Sequence, residues 1–182
     1  EFDIHRAYCK AVSHTDPELP YGNIVALNNH GAVLHYTDLE RNAPESLRSF
    51  LIDAGAQVHG YASDITRTYS NGDQRFQDLI DRMNAMELAI VDKVQAGVDY
   101  RDLHLGAHRM LAEVLVDAEL AKGDPDTLLE TGLTSAFFPH GLGHLLGVQV
   151  HDVGGHQADK SGTIIDPPSG HPFLRLTRVL EE

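Results

Sequence analysis

Leu51-Ile52-Asp53-Ala54-Gly55-Ala56-Gln57-Val58-His59-Gly60-Tyr61-Ala62-Ser63-Asp64-Ile65-Thr66-Arg67-Thr68 is the stretch on which the fold of this chain turns. The runs Ser49–Gly55 and Ala62–Ser70 are extended in character, and they flank a Gly-containing centre as the strands of an antiparallel hairpin do. A turn placed around Val58-His59 sets Asp53 opposite Asp64. Directly opposed residues hold their Cβ atoms about 4.5–5.5 Å apart, and like charges there repel. Asp53 also follows the apolar run Phe50-Leu51-Ile52. Two carboxylates in such a place need a cation between them, a shared proton, or a different register in which both are surface turn residues.

Outward from the hairpin, the sequence predicts α+β order. Upstream lie a helical pattern (Phe2, Ile4, Ala7, Tyr8, Ala11, Val12), the turn Pro17-Glu18-Leu19-Pro20, and strands at Ile24–Leu27 and Ala32–Tyr36 around Asn28-Asn29-His30-Gly31. Downstream the apolar period changes from two to nearly four. Phe76, Leu79, Ile80, Met83, Met86, Ile90 and Val94 mark one amphipathic helix ending near Gly97, with both methionines expected in the core. Asp99 caps a second helix that ends before Gly123. From Phe137 the chain turns Gly- and His-rich, with a short extended piece at Gly147–Val150. Strands, then helices, then further extended pieces is not the alternation of a parallel α/β sheet.

Composition narrows the class. The chain has 182 residues and 27 acidic against 14 basic side chains, a formal net charge of −13 with 12 histidines neutral. That balance argues against nucleic acid and anionic membrane surfaces as partners. The apolar fraction is 42%, an ordinary globular value with no stretch long enough for a membrane span. Cys9 is the only cysteine, which excludes an internal disulfide and a thiolate metal site and makes a reducing cytoplasm the natural setting. The first residue is Glu and the last residues are Arg178-Val179-Leu180-Glu181-Glu182, so both ends read as cuts in a longer protein.

A second cluster lies in Phe137-Phe138-Pro139-His140-Gly141-Leu142-Gly143-His144-Leu145-Leu146-Gly147-Val148-Gln149-Val150-His151. Three histidines within 12 residues, among apolar side chains, favour a site over a solvated loop. No His-Glu-x-x-His occurs. Two aspartates with histidine make an oxygen and nitrogen ligand set without sulfur, suited to Mn²⁺, Co²⁺ or Zn²⁺. A bridging Asp suits two ions, whose chemistry is an activated water and a polarised carbonyl or phosphoryl group. The residues by themselves therefore point to a metal-dependent hydrolase. His5, His14, His104, His108 and His171 lie on helical or turn segments and read as solvated or packing residues.

Asp53-Ala54-Gly55-Ala56, Ser63-Asp64-Ile65-Thr66-Arg67-Thr68 and Pro139-His140-Gly141-Leu142-Gly143-His144 together resemble the pita-bread metallopeptidases. Glu1-Phe2-Asp3-Ile4-His5, Pro20-Tyr21-Gly22-Asn23-Ile24-Val25-Ala26-Leu27 and Leu34-His35-Tyr36-Thr37 narrow the resemblance to the bacterial Xaa-Pro dipeptidases, a group that includes organophosphorus acid anhydrolases. The resemblance implies a pita-bread catalytic domain, of which residues 1–182 are one part, with an N-terminal domain and the C-terminal end of the catalytic domain lying outside them. It also implies two divalent ions, usually Mn²⁺, held by two Asp, one His and two Glu. Asp53 and Asp64 match the aspartates and His144 the histidine; the two glutamates are expected downstream of Glu182. His151 matches a histidine that assists substrate binding and proton transfer, and His35 and His140 match further active-site histidines. Arg175 matches the arginine that receives the carboxylate of a C-terminal proline, with Arg178 as the alternative. The implied reaction is hydrolysis of Xaa-Pro dipeptides, with phosphotriester hydrolysis as a side activity, in a homodimer. Two other readings are a partial or non-catalytic pita-bread chain that acts as a binding module, and methionine aminopeptidase; Leu34-His35-Tyr36-Thr37 and Arg175 favour the proline-cleaving branch.

Overall fold

The computed structural model describes residues 1–181, which divide into two compact units. The first comprises residues 1–80 and 146–152. Its helix α1 (Phe2–Val12) presents His5 and Cys9 to the interior and stops at Ser13, whose left-handed backbone (φ 57°) lets its N–H bond the carbonyls of Cys9 and Lys10. Beyond it, β1 (Ile24–Leu27), β2 (Ser49–Ala54) and β5 (Ile65–Ser70) form an antiparallel sheet in the order β1-β2-β5. Val25, Ala26 and Ala54 are buried, and Phe50 stacks on its cross-strand partner Tyr69 with ring centroids 5.6 Å apart.

The hairpin tip is a separate small ladder, β3 (Gln57–Val58) with β4 (Tyr61–Ala62). His59 and Gly60 both have positive φ, 52° and 86°, as a two-residue type I′ turn requires. The turn is therefore one residue later than the sequence reading placed it. Asp53 pairs with Thr66, not Asp64. The partner moves by two positions, so every side chain keeps its face of the pleat.

Two expected extended pieces are absent. Residues 28–32 form a short 3₁₀ turn (Asn28–Ala32) and no strand follows it over 32–36. Val33 and Leu34 are more than half exposed, so a strand there would have no apolar face to bury. Side-chain bonds hold the loop instead: Asn28 Oδ1 accepts from the Arg48 and Ser49 amides at 2.7 and 3.3 Å, and the Glu1 carboxylate gathers donors from its other end. Gly147–Val150 is a run of bends with Val148 exposed.

The second unit comprises residues 81–145 and 153 onward. Helix α2 (Gln74–Val91) enters it along the chain, followed by α3 (Tyr100–Asp117), α4 (Pro125–Glu130) and the single turn α5 (Thr134–Phe137). Asp99 caps α3 as expected, its carboxylate accepting the Arg101 amide at 2.9 Å. Met86 and Ile90, one turn apart on α2, pack with Ala107, Leu111 and Leu115 of α3 as the core. Met83 lies one turn before that stripe and is 40% exposed, contrary to its expected core place. The tail returns beside the start of α3: the Gly97 and Tyr100 amides donate to the carbonyls of Leu180 and Arg178. Among the described residues no helix is long and apolar enough to cross a membrane.

Candidate metal centre

In the first unit the hairpin and the segment before β1 converge on one hydroxyl. Tyr21 Oη lies 2.6 Å from Asp53 Oδ1 and 2.8 Å from Asp64 Oδ1. The two carboxylates are thus brought together, though by a different geometry from the one expected. Asp64 sits two residues before Thr66, the partner of Asp53, so the aspartates are diagonal neighbours on one face of the hairpin. Gly55 makes room for the phenol: a Cβ there would come 2.6 Å from Tyr21 Cε1 and 3.0 Å from Pro20 Cγ, and would collide with the Ser63 carbonyl. Only a residue without a side chain fits.

A phenol has one hydrogen, and two carboxylate oxygens lie within hydrogen-bonding distance of its oxygen, so it donates to one at a time; the Thr66 side chain also bonds Asp53. Burial pushes the Asp53 carboxyl above its ordinary range; the Tyr21 hydroxyl opposes that, and the negative charge of Asp64 adds to it. Burial and both carboxylates raise the Tyr21 phenol far above its usual value, so it remains a donor. Two half-buried carboxylates side by side are an environment that a divalent cation stabilises.

The remaining predicted residues divide between the units. In the first, His35 is exposed on the loop after β1 with φ 56°, and His151 is exposed at the end of residues 146–152, a segment that the Gly147 carbonyl ties to the Ala62 amide at 2.8 Å. In the second unit, His144 is half-buried and its Nδ1 lies 2.9 Å from the Leu145 carbonyl. A carbonyl only accepts, so Nδ1 carries the proton and Nε2 the lone pair, the tautomer of a metal ligand. His140 is exposed with its ring edge against Phe138. Arg175 is exposed between the buried Leu174 and Leu176. Glycines bring its segment close: a Cβ on Gly141 would come 2.7 Å from Leu174 Cα, and one on Gly155 would strike the Arg175 carbonyl. Arg178 is engaged in an ion pair with Glu181 at 2.7 Å.

The sequence reading assigned Tyr21 no role. It lies 32 residues before Asp53 and 43 before Asp64, and nothing in its local pattern links it to them. His104 and His108 were read as surface or packing residues; both are buried, together with the half-buried His171. Their spacing of four on one helix puts them on one face, the signal in the sequence that points to a pair.

A hairpin that pairs two aspartates over a shared hydroxyl, followed by a Gly/His loop, defines the architecture of the pita-bread metallopeptidases. The chain belongs to metallopeptidase family M24, whose profile matches residues 1–171. It is 59% identical over 182 residues to a Xaa-Pro dipeptidase of Xanthomonas campestris pv. campestris (strain B100), covering all of this chain and 41% of that protein. To a Xaa-Pro dipeptidase of Stenotrophomonas maltophilia (strain R551-3) it is 58% identical, with the same coverage. Zn-substituted Escherichia coli aminopeptidase P in complex with product is a structural neighbour with TM-score 0.73 and 30% identity, over 90% of this chain and 37% of that one. Pseudomonas aeruginosa aminopeptidase PepP matches with TM-score 0.72 and 30% identity, over 82% and 34%. The chain thus spans about two fifths of the length of the dipeptidases it matches. M24 peptidases use a dinuclear divalent metal centre. The paired aspartates of the first unit carry oxygen donors of the kind such a centre takes.

Proposed function

We propose that the full-length protein containing this chain is a metal-dependent dipeptidase that hydrolyses Xaa-Pro dipeptides with a free C-terminal proline. The observation that carries this reading is the Asp53–Asp64 pair on one Tyr21 hydroxyl. Family membership and 59% identity to a Xaa-Pro dipeptidase support it. In this proposal Asp53, Asp64 and His144 hold the metal, with two glutamates supplied from outside these 182 residues, so that this chain is one part of the catalytic domain. Mn²⁺ is the proposed ion, with Co²⁺ and Zn²⁺ able to replace it in an oxygen and imidazole set. When bound, such ions supply Lewis-acid polarisation of a carbonyl and an activated water.

The chain's own groups supply recognition and proton handling. Arg175, exposed between two buried leucines, receives the substrate carboxylate. His151 donates to the oxyanion that develops at the scissile carbonyl, and His35 and His140 line the substrate. Proline explains why a dedicated site is needed: its nitrogen carries no hydrogen and its ring fixes φ, so a peptidase that grips extended backbone loses a bond there. A phosphotriester makes the same tetrahedral demand, which makes organophosphate hydrolysis a proposed side activity. The protein is proposed to be a cytoplasmic homodimer.

The test is release of free proline from Xaa-Pro dipeptides by the full-length protein. Release is expected with Mn²⁺ and not after chelation. Arg175→Ala is expected to raise KM for the free dipeptide and leave KM for its C-terminal amide nearly unchanged. Metal-loaded protein that releases no proline would overturn the proposal.

A further inference from the structure

The second unit contains three histidines that the reaction above does not use. His104 and His108 stand one turn apart on α3 and are 1% and 0% exposed. His171 reaches them from the tail, its Nδ1 3.0 Å from His104 Nε2. One nitrogen from each ring lies within 4.8 Å of one from each of the others. The rings do not stack. Centroid distances are 4.5–4.7 Å, with interplanar angles of 84° between His104 and His108, 87° between His104 and His171, and 63° between His108 and His171. They stand around a common point, edges inward.

Hydrogen-bond accounting leaves this cluster unsatisfied. His108 Nδ1 bonds the buried Thr134 hydroxyl at 2.9 Å, and its Nε2 has no partner although no solvent reaches it. His104 Nδ1 is likewise buried without a partner. Such a group costs about 1–3 kcal/mol when nothing meets it. A fully buried imidazole fixed at one nitrogen, with the other unpaired and facing two more imidazoles, is the arrangement of a metal ligand with its outer-shell partner. Burial holds His104 and His108 far below the ordinary imidazole range, to about 4, so neither is cationic at neutral pH. A tetrahedral zinc with bonds of about 2.0 Å sets its nitrogen ligands about 3.3 Å apart, close to the observed His104–His171 separation.

We propose that His104, His108 and His171 form an additional metal site, holding one divalent transition ion, zinc above all, through three imidazoles. An all-nitrogen set selects borderline ions such as Zn²⁺, Ni²⁺, Cu²⁺ and Co²⁺ and rejects Mg²⁺ and Ca²⁺. Beside it lies a cavity of about 250 Å³, bordered by His104, His171, Phe138, His140 and Ser135. It leaves room for a fourth ligand, a water, which completes four-coordination. The Thr134 hydroxyl holds the His108 ring at Nδ1.

The experiment uses the full-length protein in an Asp53→Asn/Asp64→Asn background, which removes two ligands of the proposed catalytic centre. Bound metal is measured after zinc loading and dialysis, and the electronic spectrum is recorded after Co²⁺ substitution. About one zinc per chain sensitive to His171 is expected, together with intense visible Co²⁺ bands of a tetrahedral site. Both are lost in His171→Ala and in His108→Gln. His171 is half-exposed, so His171→Ala folds where a change at a fully buried position fails, and circular dichroism verifies this. Zinc content and cobalt spectrum unchanged in folded His171→Ala would overturn the site. So would a folded background protein that retains no zinc, because the trio then is a packing cluster around Phe138.

Discussion

Glu1 and Asp53 are both carboxylates withdrawn from water in the first unit, and they have opposite fates. The Glu1 side chain is 1% exposed, yet four donors converge on it: the Leu27 amide at 2.9 Å and His30 Nδ1 at 2.7 Å on one oxygen, and the Tyr36 hydroxyl at 2.9 Å and the Glu40 amide at 3.0 Å on the other. Burial acts to raise its pKa, and the four hydrogen bonds outweigh burial and lower it. Asp53 has the Tyr21 and Thr66 side chains as donors but a second carboxylate beside it, so burial prevails and its pKa rises. Burial of a charge therefore does not by itself mark a functional group. The balance of donors against like charge does. Glu1 is a structural anchor for the loop that carries His35, whereas at Asp53 burial and the neighbouring carboxylate outweigh the donors.

The largest expected effect separates the two most sharply. In the full-length protein, Asp53→Asn is expected to lower kcat/KM for an Xaa-Pro dipeptide by about 10³-fold, because metal polarisation is worth several kcal/mol. Glu1→Gln is expected to leave kcat/KM within a few-fold. Steady-state kinetics on the two variants test this, and equal losses would break the contrast.

Tyr21→Phe follows in size. It removes the hydroxyl that lies against both aspartates and keeps the ring that fills the space above Gly55. Metal affinity, measured by titration with a competing chelator, is expected to fall about 10–100-fold with little change in thermal stability. A loss of stability without a loss of affinity would assign Tyr21 to packing alone.

How much of this was legible in the sequence follows from the separation of the parts. The hairpin is local, so alternation revealed both strands and the proximity of Asp53 and Asp64. Its register was missed because Gly60, which supplies one of the two positive φ angles of the turn, was not used to place it. The error left the site intact, since a shift of two preserves the face. Family resemblance supplied the rest of the proposed ligand set, which no spacing rule could. Tyr21, the Glu1 anchor and the histidine trio are contacts over 26–67 residues, formed by tertiary packing that a one-dimensional pattern does not encode. His35 shows the converse: its neighbourhood was read as a strand from Val33 and Leu34, and side-chain bonds from Asn28 and Glu1 made it a loop instead.

A smaller effect tests the anchor itself. Glu1→Gln leaves one oxygen to accept two bonds and turns an NH₂ toward the other two donors. The expected cost is about 1–3 kcal/mol, read from the midpoint of urea unfolding. Glu1→Ala, which strands all four donors, is expected to cost more.

The smallest expected effect is on pH dependence, and it follows from the sign of the Glu1 shift. Its folded pKa lies below the unfolded value, so the unfolded chain binds more protons in the interval between them. Its contribution to stability is complete above the ordinary glutamate range, declines as pH falls below that range, and is gone once pH drops through the folded pKa. Thermal unfolding of wild type and Glu1→Gln across the acid range should therefore converge: the difference in Tm is largest near neutrality and shrinks on acidification. Asp16, Glu18, Asp99 and Asp159 are also held low and lose their contributions alike in both proteins, so the difference between the two curves reports Glu1 together with the Glu40 carboxylate coupled to it. A gap in Tm that stays constant with pH would mean that the cost of Glu1→Gln is shape rather than charge, and would remove the electrostatic half of the contrast with Asp53.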